Sequence, residues 1–132
     1  MTGVRAGPGD PEADLQVLLE ETANTVRQVA PNASVRTGVQ RTDAFPLSIY
    51  STYSRSGDAA DEDLVITVDV RLKPRTVIQI DIARGDGFIL AEESYDCSGA
   101  ADASAALAMA LPGLTRFLQS SGNVLARELG QT

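Results

Sequence analysis

Apolar residues along this chain recur first at three- and four-residue intervals, then at every second position, then at helical spacing again, and those changes of period lay out the fold. Leu15, Leu18, Leu19, Ala23, Val26 and Val29 form one stripe, while Glu20, Glu21, Asn24, Arg27 and Gln28 fall on the other side. This predicts an amphipathic helix. Asp10 suits its N-cap, Pro11 its first turn and Glu12 the positive end of its dipole, and Pro31-Asn32 end it. The glycine- and proline-rich residues 1–9 are expected to be a disordered tail, with a single α+β domain over 10–132.

From Ala33 the period is two. Ala33, Val35, Thr37 and Val39 alternate with Ser34, Arg36, Gly38 and Gln40, which predicts a strand with one half-buried face. Phe45-Pro46 introduce a second strand over Leu47–Ser54, where Ile49 and Tyr50 point to opposite faces. Residues 55–62 carry Gly57, Asp58, Asp61 and Glu62, followed by Asp63, and read as a solvated tip.

The clearest signal spans positions 64 to 82. Leu64, Ile66, Val68, Val70 and Leu72 alternate with polar or small partners, and after Lys73-Pro74-Arg75 so do Ile78, Ile80 and Ile82. Setting Arg71 opposite Val77 pairs Val70 with Ile78, Val68 with Ile80 and Ile66 with Ile82, so a single antiparallel register buries both apolar sets together. The reverse face then presents Thr67, Asp69, Arg71, Gln79 and Asp81 to water or to a polar partner.

Arg84-Gly85-Asp86-Gly87 has hairpin-turn chemistry, and Phe88–Tyr95 returns as a fifth strand. A two-residue loop would turn Ile89, Ala91, Glu93 and Tyr95 to the core, and a three-residue loop Phe88, Leu90 and Glu92; the pattern is compatible with either. Helix propensity is high from Ser98 or Gly99 to Leu111. Pro112-Gly113 is expected to kink or divide that helix, beyond which Leu114, Phe117, Leu118, Val124, Leu125 and Leu129 extend the apolar stripe. The expected fold is therefore an α+β two-layer sandwich, in the order α-β-β-β-β-β-α, with both terminal helices on one face of an antiparallel sheet of about five strands.

Composition narrows what such a domain can do. With 132 residues, 43% hydrophobic, the chain is long enough to bury a core. Its net charge of −7, with basic residues scattered, argues against nucleic acid as a partner. Ten of the eleven basic residues are arginine and alanine is abundant, a bias suggesting a GC-rich bacterial genome. The opening residues lack the apolar run of a secretory signal, and no stretch reaches membrane-spanning length, so a cytoplasmic protein without membrane contact is expected.

Histidine is absent, which removes histidine-based catalysis and histidine-ligated metals, and a lone Cys97 precludes an intrachain disulfide. Cys97 sits at a strand-to-helix junction, where a thiol can be activated, yet Glu92, Glu93 and Asp96 nearby oppose that. Asp58, Asp61, Glu62 and Asp63 lack the spacing of a calcium loop. Arg84-Gly85-Asp86 spells an adhesion tripeptide, for which a hairpin turn is sufficient explanation, and no glycine loop for nucleotides occurs. No catalytic residue, cofactor or metal is expected.

These absences favour a small acidic protein-binding module of immunity, chaperone or adaptor type; the chain is similar to secretion chaperones and immunity proteins in size, charge and layout. A basic protein partner and homodimerisation are expected. The expected contact residues are Tyr50, Tyr53, Asp58, Asp61, Asp63, Asp69, Asp81 and Tyr95. The competing expectation is a small-molecule site, or carboxylate chemistry, in a cleft between sheet and helices around Tyr50, Tyr53, Asp69, Asp81 and Tyr95.

Overall fold

The computed structural model describes residues 11–41, 46–54 and 63–130. Helix α1 (Pro11–Val29) precedes strands β1 (Ser34–Gln40), β2 (Leu47–Ser54), β3 (Leu64–Arg71), β4 (Val77–Arg84) and β5 (Ile89–Asp96), and helices α2 (Ala103–Ser120) and α3 (Gly122–Gly130) follow. The five strands form one antiparallel sheet in chain order, β1-β2-β3-β4-β5. The expected tail over 1–9 and the N-cap at Asp10 lie outside the described residues.

The core is the face where the two-residue rhythm stacks. Val70 pairs with Ile78, Val68 with Ile80 and Ile66 with Ile82, the register read from the sequence. All six side chains are buried, together with Leu47, Ile49 and Tyr53 of β2. Over them lie Leu15, Leu19, Ala23 and Val26 of α1, Leu107, Leu114 and Leu118 of α2, and Leu125 and Leu129 of α3. Helix α2 lies against β3, β4 and β5, while α1 packs beside α2 and α3 and reaches β1. Val29 was expected to join the α1 stripe, yet it is exposed at the helix end, where the chain already turns toward β1. Thr22 is buried instead, its hydroxyl donating to the Leu18 carbonyl at 2.9 Å.

The expected start of the C-terminal helix is corrected, and its break is located. The helix begins at Ala103, not at Ser98 or Gly99, because Asp102 acts as its N-cap and accepts from the Ala105 N–H at 2.8 Å. Alanine-rich residues before it have the propensity but lack a cap. Further on, α2 runs through Pro112 without division. Pro112 and Ala108, whose carbonyl would have accepted the missing N–H, are both exposed, so water can satisfy the freed group. The break falls at Ser121. Its hydroxyl donates to the Phe117 carbonyl (2.7 Å), its N–H turns back to Leu118, and α3 starts from its carbonyl.

The β4–β5 connection combines both registers open in the sequence. Arg84 and Phe88 close a three-residue loop, with Gly87 in the left-handed region at φ 98°. Ala83 then pairs with Ile89, but Ile82 pairs with Ala91, so Leu90 is the extra residue of a β-bulge. Beyond the bulge Ala91, Glu93 and Tyr95 share the side of the buried isoleucines, and Leu90 also packs on the core.

Candidate functional site

Helices cover one face of the sheet, and the described residues place no helix on the other. Strand alternation decides what that second face carries. Pairing sets Gly38, Tyr50, Thr67, Asp81 and Glu92 in one row across all five strands, and Gln40, Ser48, Asp69, Gln79 and Ser94 in the next. Each row is polar because these are the residues that alternate with the core set.

Asp69, Asp81 and Glu92 occupy neighbouring positions on three adjacent strands. Asp81 is directly opposite Glu92, a geometry that puts β-carbons about 5 Å apart, and diagonal to Asp69. Asp69 accepts a 2.6 Å hydrogen bond from the Ser48 hydroxyl, and Arg71 follows it two residues on along the same face of β3. Partial burial raises the pKa of Asp81, and the charges of Asp69 and Glu92 raise it further. Among the described residues no three acidic side chains converge closely enough to hold one metal ion. The arrangement is a spread of negative charge rather than a chelating centre.

Beside this strip lies an open groove of about 450 Å³, lined by Arg36, Thr37, Gln40, Ser48, Tyr50, Thr52, Val65 and Thr67. Gly38 shapes it, since a methyl group there would collide with the ring and hydroxyl of Tyr50. Tyr50 accordingly leans from β2 across β1.

The contact residues expected from the sequence are therefore divided. Tyr50, Asp69 and Asp81 share the uncovered face. Tyr53 and Tyr95 lie on the helix side, so the five residues of the expected sheet–helix cleft do not line one cavity. Tyr53 is fully buried, with no hydrogen-bond partner for its hydroxyl among the described residues. Burial pushes its pKa up, while the Ser51 hydroxyl, near but outside bonding geometry, and the Arg27 charge temper the rise. The Tyr95 ring packs on α2 where Gly113 has no side chain, and its hydroxyl donates to Glu93 at 2.5 Å. Burial, then Glu93, raise its pKa strongly.

Asp63 lies at the start of β3, its N–H donating to the Tyr53 carbonyl. Asp58 and Asp61 lie outside the described residues. Between α1 and the C-terminal helices is a separate cleft of about 270 Å³, lined by Leu18, Thr22, Thr25, Leu118 and Leu125 among others, with Glu21 its one charged group.

Neither remaining sequence candidate gains a role. Cys97 is buried, its thiol donates weakly to the Tyr95 carbonyl, and burial followed by the Asp96 charge raises its pKa, which disfavours the thiolate. It also precedes the helix by a full turn of irregular chain, so no helix N-terminus activates it. Arg84 of the adhesion-like tripeptide is held by Glu128 of α3 at 3.0 Å and lies 5.1 Å from the Phe88 ring centroid, as a hairpin anchor would. Among the described residues no helix is long and apolar enough to cross a membrane.

Comparison with protein-family models, with curated proteins and with solved structures finds no match. Any assignment therefore starts from this face itself. Arg36, Gln40, Ser48 and Thr52 were not singled out from the sequence, although each is the polar member of an alternating strand, whereas Thr67 was read there on the polar face. Glu92 was noted there only as one of an acidic group, because its face depended on the unresolved β5 register.

Proposed function

We propose that this protein is a non-catalytic protein-binding module that presents the uncovered face of its sheet to a basic partner. The observation that carries this reading is the strip Asp69–Asp81–Glu92, three carboxylates on adjacent strands of the uncovered face. Like charges across a strand pair cost stability. A partner that supplied lysine or arginine would relieve that cost, and an overall charge of −7 would steer it in. Tyr50, with an apolar ring and a polar tip, extends the surface toward β1. An adaptor, chaperone or immunity role fits such a surface, and a cytoplasmic location fits the lone cysteine. A homodimer fits as well, since a sheet in chain order has two edges.

The test uses wild type and the Asp69→Asn/Asp81→Asn/Glu92→Gln variant as parallel baits in an extract of the source organism, with mass spectrometry of what is retained. Proteins of basic surface held by wild type and released by the variant or by raised salt are expected. Equal retention by both baits, or none by either, would refute the reading.

A second reading rests on the groove beside Tyr50, whose volume suits a small molecule. It predicts that a neutral polar ligand shifts the amide resonances of β1 and β2 but not those of β5.

A further inference from the structure

The two edges of the sheet differ in a way the functional reading does not use. β5 carries the devices that keep an edge unpaired: the bulge at Leu90 and the carboxylates of Glu92, Glu93 and Asp96. Pairing two copies of β5 about Glu92 or Glu93 would set a carboxylate against its own image. β1 has neither device. Its register with β2 runs unbroken from Ser34 to Gln40, it contains no proline, and its one charged residue is Arg36. Arg36, Thr37 and Gln40 are exposed, so the helical layer does not close this edge.

The β1 sequence is also complementary to itself. Thr37 is the middle of its seven residues, and antiparallel pairing about that position sets Val35 against the partner's Val39, Arg36 against the partner's Gly38 and Ser34 against the partner's Gln40. Val35 and Val39 are only partly buried and already pack on the core, so their pairing across the axis would continue the apolar layer beneath the helices. The long Arg36 side chain meets the one residue of the strand that has none, beside the Tyr50 ring that leans over Gly38, where a cation and an aromatic face attract. The same contact recurs on the other side of the axis, as a closed two-fold interface requires.

We propose that β1 is the docking edge for a second copy of this chain, the two β1 strands pairing antiparallel about a two-fold axis at Thr37. The two sheets then form one continuous sheet, and both acidic strips remain open on the same side. A seven-residue edge buries less than the roughly 1,200 Å² of a standard stable interface, so the dimer is expected to be weak and concentration-dependent.

The experiment is sedimentation equilibrium of the full chain over a wide concentration range, with wild type, Thr37→Lys, Thr37→Glu and an equimolar mixture of the two variants. At the axis residue 37 meets its own copy, so either variant alone is expected to weaken the dimer, by up to about fivefold for directly opposed like charges. The mixture is expected to restore association to wild-type strength or beyond. Thr37 is exposed, and unchanged circular dichroism will show that each variant is folded. A wild type that stays monomeric at NMR concentrations, or a mixture no tighter than its components, overturns the inference. Retention of a basic partner by monomeric Thr37→Lys would leave the acidic-face reading standing, so the two ideas fail separately.

Discussion

Replacing Asp81 by asparagine should make this protein more stable, and the argument follows from strand pairing. Asp81 faces Glu92 across the β4–β5 pair and Asp69 on the diagonal, so removing its charge ends two repulsive interactions. Each like-charged cross-strand neighbour costs about 0.2–1 kcal/mol, the diagonal one at the low end, which gives about 1 kcal/mol in total. For a domain of this size that corresponds to a rise in Tm of roughly 3–5 °C. The amide keeps the side chain's shape.

The pH dependence has a definite sign. Burial, Asp69 and Glu92 raise the Asp81 pKa in the folded state above the unfolded value of about 3.9, so the native protein binds this proton more tightly than the unfolded chain does. The destabilisation is absent below the unfolded pKa and develops as pH rises through the folded one. Thermal unfolding followed by circular dichroism should therefore show Asp81→Asn above wild type near pH 7 in low salt. The gap should narrow at about 0.5 M salt, where exposed charges are screened, and vanish near pH 3. An Asp81→Asn protein that melts below wild type near pH 7, or a gap indifferent to pH, would refute the electrostatic account. The functional reading adds that this stabilised variant binds its basic partner less well, opposite signs for two measurements on one substitution.

Ile80 lies in the middle of the core with no exposed surface, so Ile80→Ala should cost about 2–5 kcal/mol, read as a lower urea midpoint at unchanged slope. Gly113→Ala should destabilise by about 1 kcal/mol despite the better helix propensity of alanine, because the new methyl would sit 2.5 Å from the Tyr95 ring; in a Tyr95→Ala background the same change should stabilise. The Cys97 thiol should resist an aromatic disulfide reagent near pH 8 in the folded protein and react at once in denaturant, whereas fast native labelling would contradict its burial and raised pKa.

How far the sequence discloses this molecule depends on how local each determinant is. The β3–β4 register was legible because alternation puts Val68, Val70, Ile78 and Ile80 on one face and the short connection after Arg71 sets their pairing, and the structure adopts it. Pro112 does not divide α2 because its effect depends on exposure: the lost hydrogen bond lies on the solvent side of the helix, a fact no local pattern contains. Tyr50 and Tyr53 resembled one another in sequence, yet an odd offset of three positions along the strand sends them to opposite faces, one to the groove and one to the core.

Glu92 shows where reading must stop and why the candidate surface depends on one residue elsewhere. A three-residue turn at Gly85–Gly87, carried down a regular strand, would have set Glu92 opposite Ile80 on the helix side and turned Tyr95 to the open face. That helix-side position is exposed at the sheet edge, where Glu93 now sits, so the larger loss would be the packing of the Tyr95 ring on α2. The bulge at Leu90 absorbs the extra residue, returns Glu92 to the open face opposite Asp81, and brings Tyr95 over Gly113. Deleting Leu90 should thus leave a regular β4–β5 ladder below the turn with Glu92 and Tyr95 still in place, whereas inserting one residue after it should turn Tyr95 away from Gly113 and loosen β5. Amide hydrogen exchange of residues 91–96 distinguishes the two: protection kept on deletion and lost on insertion is expected. Loss on both would mean that the bulge, and not the seating of Tyr95 on α2, holds this strand in register.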